Sequence, residues 1–183
     1  MSLRSPTPLA SSVLLLALLA LFVGGCGGSH SDKKANETYA NGVCTAIGNW
    51  AHEVKSIAAN FSGGVSKASL QSKVSQIESA TKSLASELKA IPPPKTSEGQ
   101  AAKQQLDQLA NDLSNTVASI KAGIDQLSGN ASTATVRTVA ATVAPQLESL
   151  AKQAESALKS LKGSAASWAD AFDSASACKG VAP

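Results

Sequence analysis

The groups that could do chemistry in this chain are few: three cysteines, two histidines, and thirteen aspartates and glutamates. Their spacing narrows the field further. His52-Glu53 begins like a zinc-protease helix, but that chemistry needs a second imidazole four residues after the first, and that position is Ser56. The Glu-x-x-His pattern from which di-iron helical proteins build their centre is absent. Neither Cys44 nor Cys178 is followed by the x-x-Cys-His of haem attachment. Serines are plentiful, yet there is no Gly-x-Ser-x-Gly, and a serine triad would have only His30 and His52 to draw on. Phosphate-cradling glycine loops are also missing. The sequence therefore predicts no catalytic residue, no metal site and no cofactor, and the chain reads as a non-enzyme. Three Asn-x-Ser/Thr triplets, at Asn36, Asn60 and Asn130, read as polar loop and cap residues.

Cys26 is in a different setting. Leu9 to Val23 is apolar apart from Ser11 and Ser12, Arg4 is the lone positive charge before it, and Leu18 to Ser29 reads LLALFVGGCGGS. The apolar run is short for a bilayer span, which needs about 20 residues, and small residues follow it as a cleavage site requires. This segment resembles the lipobox signal peptide of bacterial lipoproteins, in which a cysteine after an aliphatic and two small residues carries a thioether-linked diacylglycerol and becomes the mature N-terminus. Gly24 departs from the alanine or serine common there. The resemblance implies removal of residues 1–25, lipidation of Cys26, and a bacterial cell-envelope protein held on the outer face of a membrane. The alternatives, an uncleaved anchor or an ordinary signal peptide, also export the chain.

Removing residues 1–25 removes only Arg4 from the charged set, leaving 15 basic residues against 13 acidic ones. So small an excess, with no basic patch, argues against nucleic acid as a partner. Residues 26–36 read as the lipidated cysteine and a flexible tether, with Lys33 and Lys34 able to touch anionic headgroups and His30 solvated. One domain, residues 37–178, follows, with a tail at 179–183.

That domain is helical throughout. Tyr39, Val43, Ile47, Trp50, Val54, Ile57 and Phe61 recur at spacings of three and four, predicting a first helix from about Glu37 to Phe61 that Gly63 and Gly64 end. Leu70, Val74, Ile77, Thr81, Leu84, Leu88 and Ile91 form a heptad seam, predicting a second from about Lys67 to Ile91, stopped by Pro92, Pro93 and Pro94. A third, about Ser97 to Leu127, opens with Thr96, Ser97 and Glu98 as cap and first-turn acid and turns at Ser128, Gly129 and Asn130. The fourth region, about Ser132 to Cys178, is too long for its partners, so a kink or break is expected at Pro145 or Gly163.

Four amphipathic helices on short corners predict an all-α, up-down-up-down four-helix bundle, monomeric rather than dimeric. Once Cys26 is lipidated, Cys44 and Cys178 are left, and an exported chain meets oxidising conditions, so these two are expected to form a disulfide. Bundle topology puts them at one end, provided the fourth region is redirected. The expected role is an interaction module that docks a protein or envelope polymer. A small-apolar-ligand carrier or sensor, using the core near Trp50, Trp168 and Phe172, is the alternative.

Overall fold

The computed structural model describes residues 30–61 and 66–181. Cys26 with its leader, and Gly63 and Gly64, lie outside the described residues. Five α-helices make up almost all of the rest: α1, His30–Ala59; α2, Lys67–Ala90; α3, Ser97–Asp125; α4, Thr133–Gly163; and α5, Ala166–Ser174. A short 3-10 helix, Ser176–Gly180, closes the chain. The fold is all-α, with no strand among the described residues.

Local sequence explains the helix starts. Ser66, Thr96 and Ser132 each adopt extended backbone, and each side-chain oxygen accepts a hydrogen bond from the amide three residues on, at 3.1, 3.0 and 3.1 Å. An otherwise orphaned donor is satisfied at each start. Between α2 and α3 the prolines force a corner so tight that a Cβ placed on Gly99 would lie 2.2 Å from the Pro94 carbonyl oxygen. Only glycine lets α3 begin that close.

The apolar stripes meet in a single core. Leu70, Val74, Ile77, Leu84 and Leu88 of α2 are buried with Leu106, Leu113, Val117 and Ile124 of α3 and with Val43, Ile47 and Val54 of α1. Hydrogen bonds join α2 and α3 near both of their ends. The start of α2 reaches the end of α3, where Lys67 Nζ donates to the Asp125 carbonyl at 3.3 Å and Gln71 bonds the Asp125 carboxylate at 2.8 Å. The ammonium of Lys67 also bonds the Leu127 carbonyl, placing a cation where the helix end is negative. Near the other end, Lys103 of α3 donates to the Leu88 carbonyl of α2 at 3.2 Å.

One boundary differs from the sequence reading, and the expected break in the fourth region is located. α1 begins at His30 rather than near Glu37, so residues 30–36, expected in the tether, are helical, and Asn36 is buried. The expected fourth region is divided in two. Pro145 sits inside α4 without ending it, because Pro145 and Ala141 are both exposed and water can serve the carbonyl that loses its partner. The break falls at Gly163, the second of the two expected places, where Ser164 caps the helix end and Ala165 turns extended. From there α5 folds back onto α1 and buries Trp168, Ala171 and Phe172.

Candidate functional site

Cys44 and Cys178 are joined by a disulfide, their Cα atoms 5.0 Å apart. The break at Gly163 makes this possible, since a straight continuation of α4 would carry Cys178 past the level of Cys44. Both cysteines are buried. Around them Asn41 fixes the final segment, its Oδ1 accepting from the Ala177 amide at 3.0 Å and the Ser176 hydroxyl at 3.3 Å. Val181 follows, so close to α1 that a Cβ on Gly48 would lie 2.6 Å from its Cγ2. Residues 179–181 of the segment expected as a tail thus lie against the first helix. Lys159, Lys162 and Lys179 border the hollow on one side of the bridge, where Lys162 is ion-paired with Asp173.

The aromatic residues considered as a ligand cradle pack on one another. Trp168 lies between Tyr39 and Phe172, with ring centroids 5.7 and 6.2 Å away. Trp50 is elsewhere in the core and donates its indole N–H to Thr81 Oγ1 at 3.1 Å, while Thr81 in turn donates to the Ile77 carbonyl at 2.8 Å. Trp50 and Thr81 thus satisfy each other, and all of these side chains are buried, although Phe172 also borders the hollow beside the disulfide.

His52 and Glu53 are exposed on α1. His52 shares a shallow hollow with Lys55 and Glu155, which are ion-paired at 2.9 Å between α1 and α4. Among the described residues no three of His, Cys, Asp and Glu gather closely enough to hold a metal ion. His30 is the first residue of α1.

One surface was not legible in the sequence. The start of α1 and the Ile91–Lys95 corner enclose an open hollow of about 600 Å³, lined by Ala35, Thr38, Tyr39, Ile91 and the three prolines, with Asp32, Lys34 and Lys95 at its rim. Tyr39 is 2% exposed, and its hydroxyl has no hydrogen-bond partner among the described residues; the same holds for Oδ1 of buried Asn36. Burial, and secondarily the negative charge of Asp107, push the Tyr39 phenol up to about 12. The spacing of three from Asn36 to Tyr39 was the available signal, masked because Asn36 is polar. Comparison with protein-family models, curated proteins and solved structures finds no match to this chain.

Proposed function

We propose that this chain is a lipid-anchored, non-enzymatic lipoprotein of the bacterial cell envelope, exported and held on the outer face of a membrane through Cys26. Its α1–α4 helices are read as a monomeric up-down-up-down four-helix bundle, with α5 and the 3-10 helix strapped across α1, serving to dock a protein or envelope polymer. The observation that carries the location is Val23-Gly24-Gly25-Cys26 at the end of the apolar run. The Cys44–Cys178 bridge supports it, because buried disulfides belong to oxidising compartments. The bundle reading draws support from α1 and α2: Gly42 faces Ile91, Trp50 reaches Thr81 and Lys73 reaches the Asn60 carbonyl, so rising positions on one meet falling positions on the other.

The interaction role is favoured over the carrier role because Trp50, Trp168 and Phe172 are committed to packing. Acyl chains contribute about 0.8 kcal/mol per buried methylene, so two or more hold a protein on the bilayer essentially permanently. Mass spectrometry of the mature N-terminus should find diacylglycerol on Cys26, and Cys26→Ser should release the protein from the membrane fraction. An unmodified Cys26, or cleavage at another position, would sink the proposal.

A further inference from the structure

We infer that the Cys44–Cys178 bridge is a latch open to thiol–disulfide exchange, and that its reduction by a dithiol lets α5 and the 3-10 helix open as a flap hinged at residues 163–165. This goes beyond the proposed anchor and does not rest on it. Access to the bridge is the first observation. Cys44 is 0% and Cys178 3% exposed, yet both line a hollow of about 250 Å³. Lys159, Lys162 and Lys179 border the same hollow. Lys162 is committed to Asp173, while Lys159 and Lys179 have no ion-pair partner among the described residues. Exchange proceeds through thiolates, and ammonium groups nearby stabilise both the thiolate that attacks and the one that leaves. One thiolate of the dithiol attacks Sγ of Cys178, the more exposed sulfur. The Cys44–Cys178 bond breaks, a mixed disulfide forms on Cys178, and Cys44 leaves as a thiolate that takes up a proton. The second thiol of the dithiol then displaces Cys178, so the reagent ends as a disulfide, two electrons poorer, and both cysteines end as thiols.

The second observation is how little else holds the strap. α5 has nine residues and the 3-10 helix five, below the roughly 12–15 that a helix needs to persist on its own. Neither has a side-chain cap, whereas α2, α3 and α4 each do. Their helical form therefore depends on lying against α1, through buried Trp168, Ala171, Phe172 and Ala175, the two bonds to Asn41, and Val181 beside Gly48. The strap is tied at both ends, by the chain at Gly163 and by the bridge at Cys178. Reduction removes one tie and leaves a flap on a hinge where Ala165 is already extended and a Cβ on Gly163 would meet nothing within 4 Å. α1 to α4 keep their own stripes and caps, so the flap opens locally and transiently, uncovering Tyr39, on which Trp168 packs, and the Ala40 carbonyl beside Cys178.

The test uses the full chain carrying Cys26→Ser, with its bridge formed, and dithiothreitol as the dithiol. Reduction is followed by alkylation and mass spectrometry at urea concentrations below the unfolding transition. Exchange through the hollow gives a rate proportional to dithiothreitol and nearly flat in urea. A rate that climbs steeply from zero urea means that the sulfurs are reached only by global unfolding, and overturns the latch. Lys159→Gln with Lys179→Gln should slow reduction by about threefold or more at an unchanged denaturation midpoint, and an unchanged rate overturns the part given to the lysines. The flap is read by brief chymotrypsin digestion of the reduced protein, with circular dichroism reporting helix content. Cuts after Trp168 and Phe172 should form about tenfold faster than in the oxidised protein, while Leu84 and Leu113 in the core of α2 and α3 stay uncut. Cleavage accelerated equally in α2 and α3, or no acceleration in α5, overturns the flap.

Discussion

Cys44 and Cys178 are covalently joined across a sequence separation of 134, with their Cα atoms 5.0 Å apart. The bridge ties the 3-10 helix to α1 and closes a loop that contains every junction between the five α-helices. Restricting so long a loop in the unfolded chain stabilises the fold by about 2–4 kcal/mol. Cys44→Ala with Cys178→Ala should therefore lower the denaturation midpoint with helix content retained. Thiol counting on the unreduced Cys26→Ser protein should find no reactive thiol. Two reactive thiols, or a covalent dimer on non-reducing electrophoresis, would contradict the bridge.

The bond from Trp50 to Thr81 is the second crosslink, made of one hydrogen bond between α1 and α2 inside the core. Thr81→Val keeps the shape and removes the acceptor, leaving a buried indole N–H unpaired at a cost of about 1–3 kcal/mol. Urea unfolding followed by tryptophan fluorescence measures the loss. Trp50→Phe in the Thr81→Val background removes the orphaned donor, so a double-mutant cycle should return a favourable coupling. Strict additivity of the two changes would show that the bond contributes nothing.

Much of this fold could be read from residue spacing. The α2 stripe from Leu70 to Leu88 is buried as its heptad predicts, and Thr96 caps α3. Periodicity works there because one helix face meets one core. It fails where burial and polarity part company. Asn36 looks like tether and is buried, so apolar spacing alone places the start of α1 too late. On α4 the core takes Ala140, while Val139 is only partly buried, because a small residue lets the helices approach and apolarity alone does not rank the two. The sequence narrows the break in the fourth region to Pro145 or Gly163. Choosing between them depends on whether the freed carbonyl meets water, which sequence does not state. The pairing of the cysteines was legible from topology, whereas the hollow at the proline corner was not, since it joins residues from α1 and from the α2–α3 turn.

Gly99 and Gly123 sit in the same helix and should respond oppositely to alanine. At Gly99 the added methyl meets the Pro94 carbonyl oxygen, a backbone atom held by the proline corner, so Gly99→Ala should destabilise by about 1–3 kcal/mol or more. At Gly123 nothing lies within 4 Å of the added carbon, and replacing a helix-interior glycine stabilises by about 0.5–1 kcal/mol. Denaturant midpoints of the two variants should move in opposite directions. A Gly99→Ala protein as stable as the parent would mean that the corner yields.

Tyr39 gives the fold a pH limit on the alkaline side. Burial first, and the charge of Asp107 second, disfavour the tyrosinate in the folded protein and push the phenol to about 12. The folded state therefore binds this proton more tightly than the unfolded chain, where tyrosine titrates near its ordinary value of about 10. The associated stability is fully present below that ordinary value and is lost as pH rises through the window toward 12, by about 1.4 kcal/mol per pH unit at most. Lysines titrate in the same window, so the comparison is with Tyr39→Phe, which keeps their contribution and lacks this one. The parent should lose stability more steeply than the variant between pH 10 and 12. Because Tyr39 is the only tyrosine in the chain, its ionisation can be followed directly by ultraviolet absorbance. At neutral pH, Tyr39→Phe removes a hydroxyl that has no partner among the described residues, and should leave stability equal or higher. A phenol titrating near 10, or a Tyr39→Phe protein that loses more than about 1 kcal/mol at neutral pH, would show that the hydroxyl is solvated or bonded.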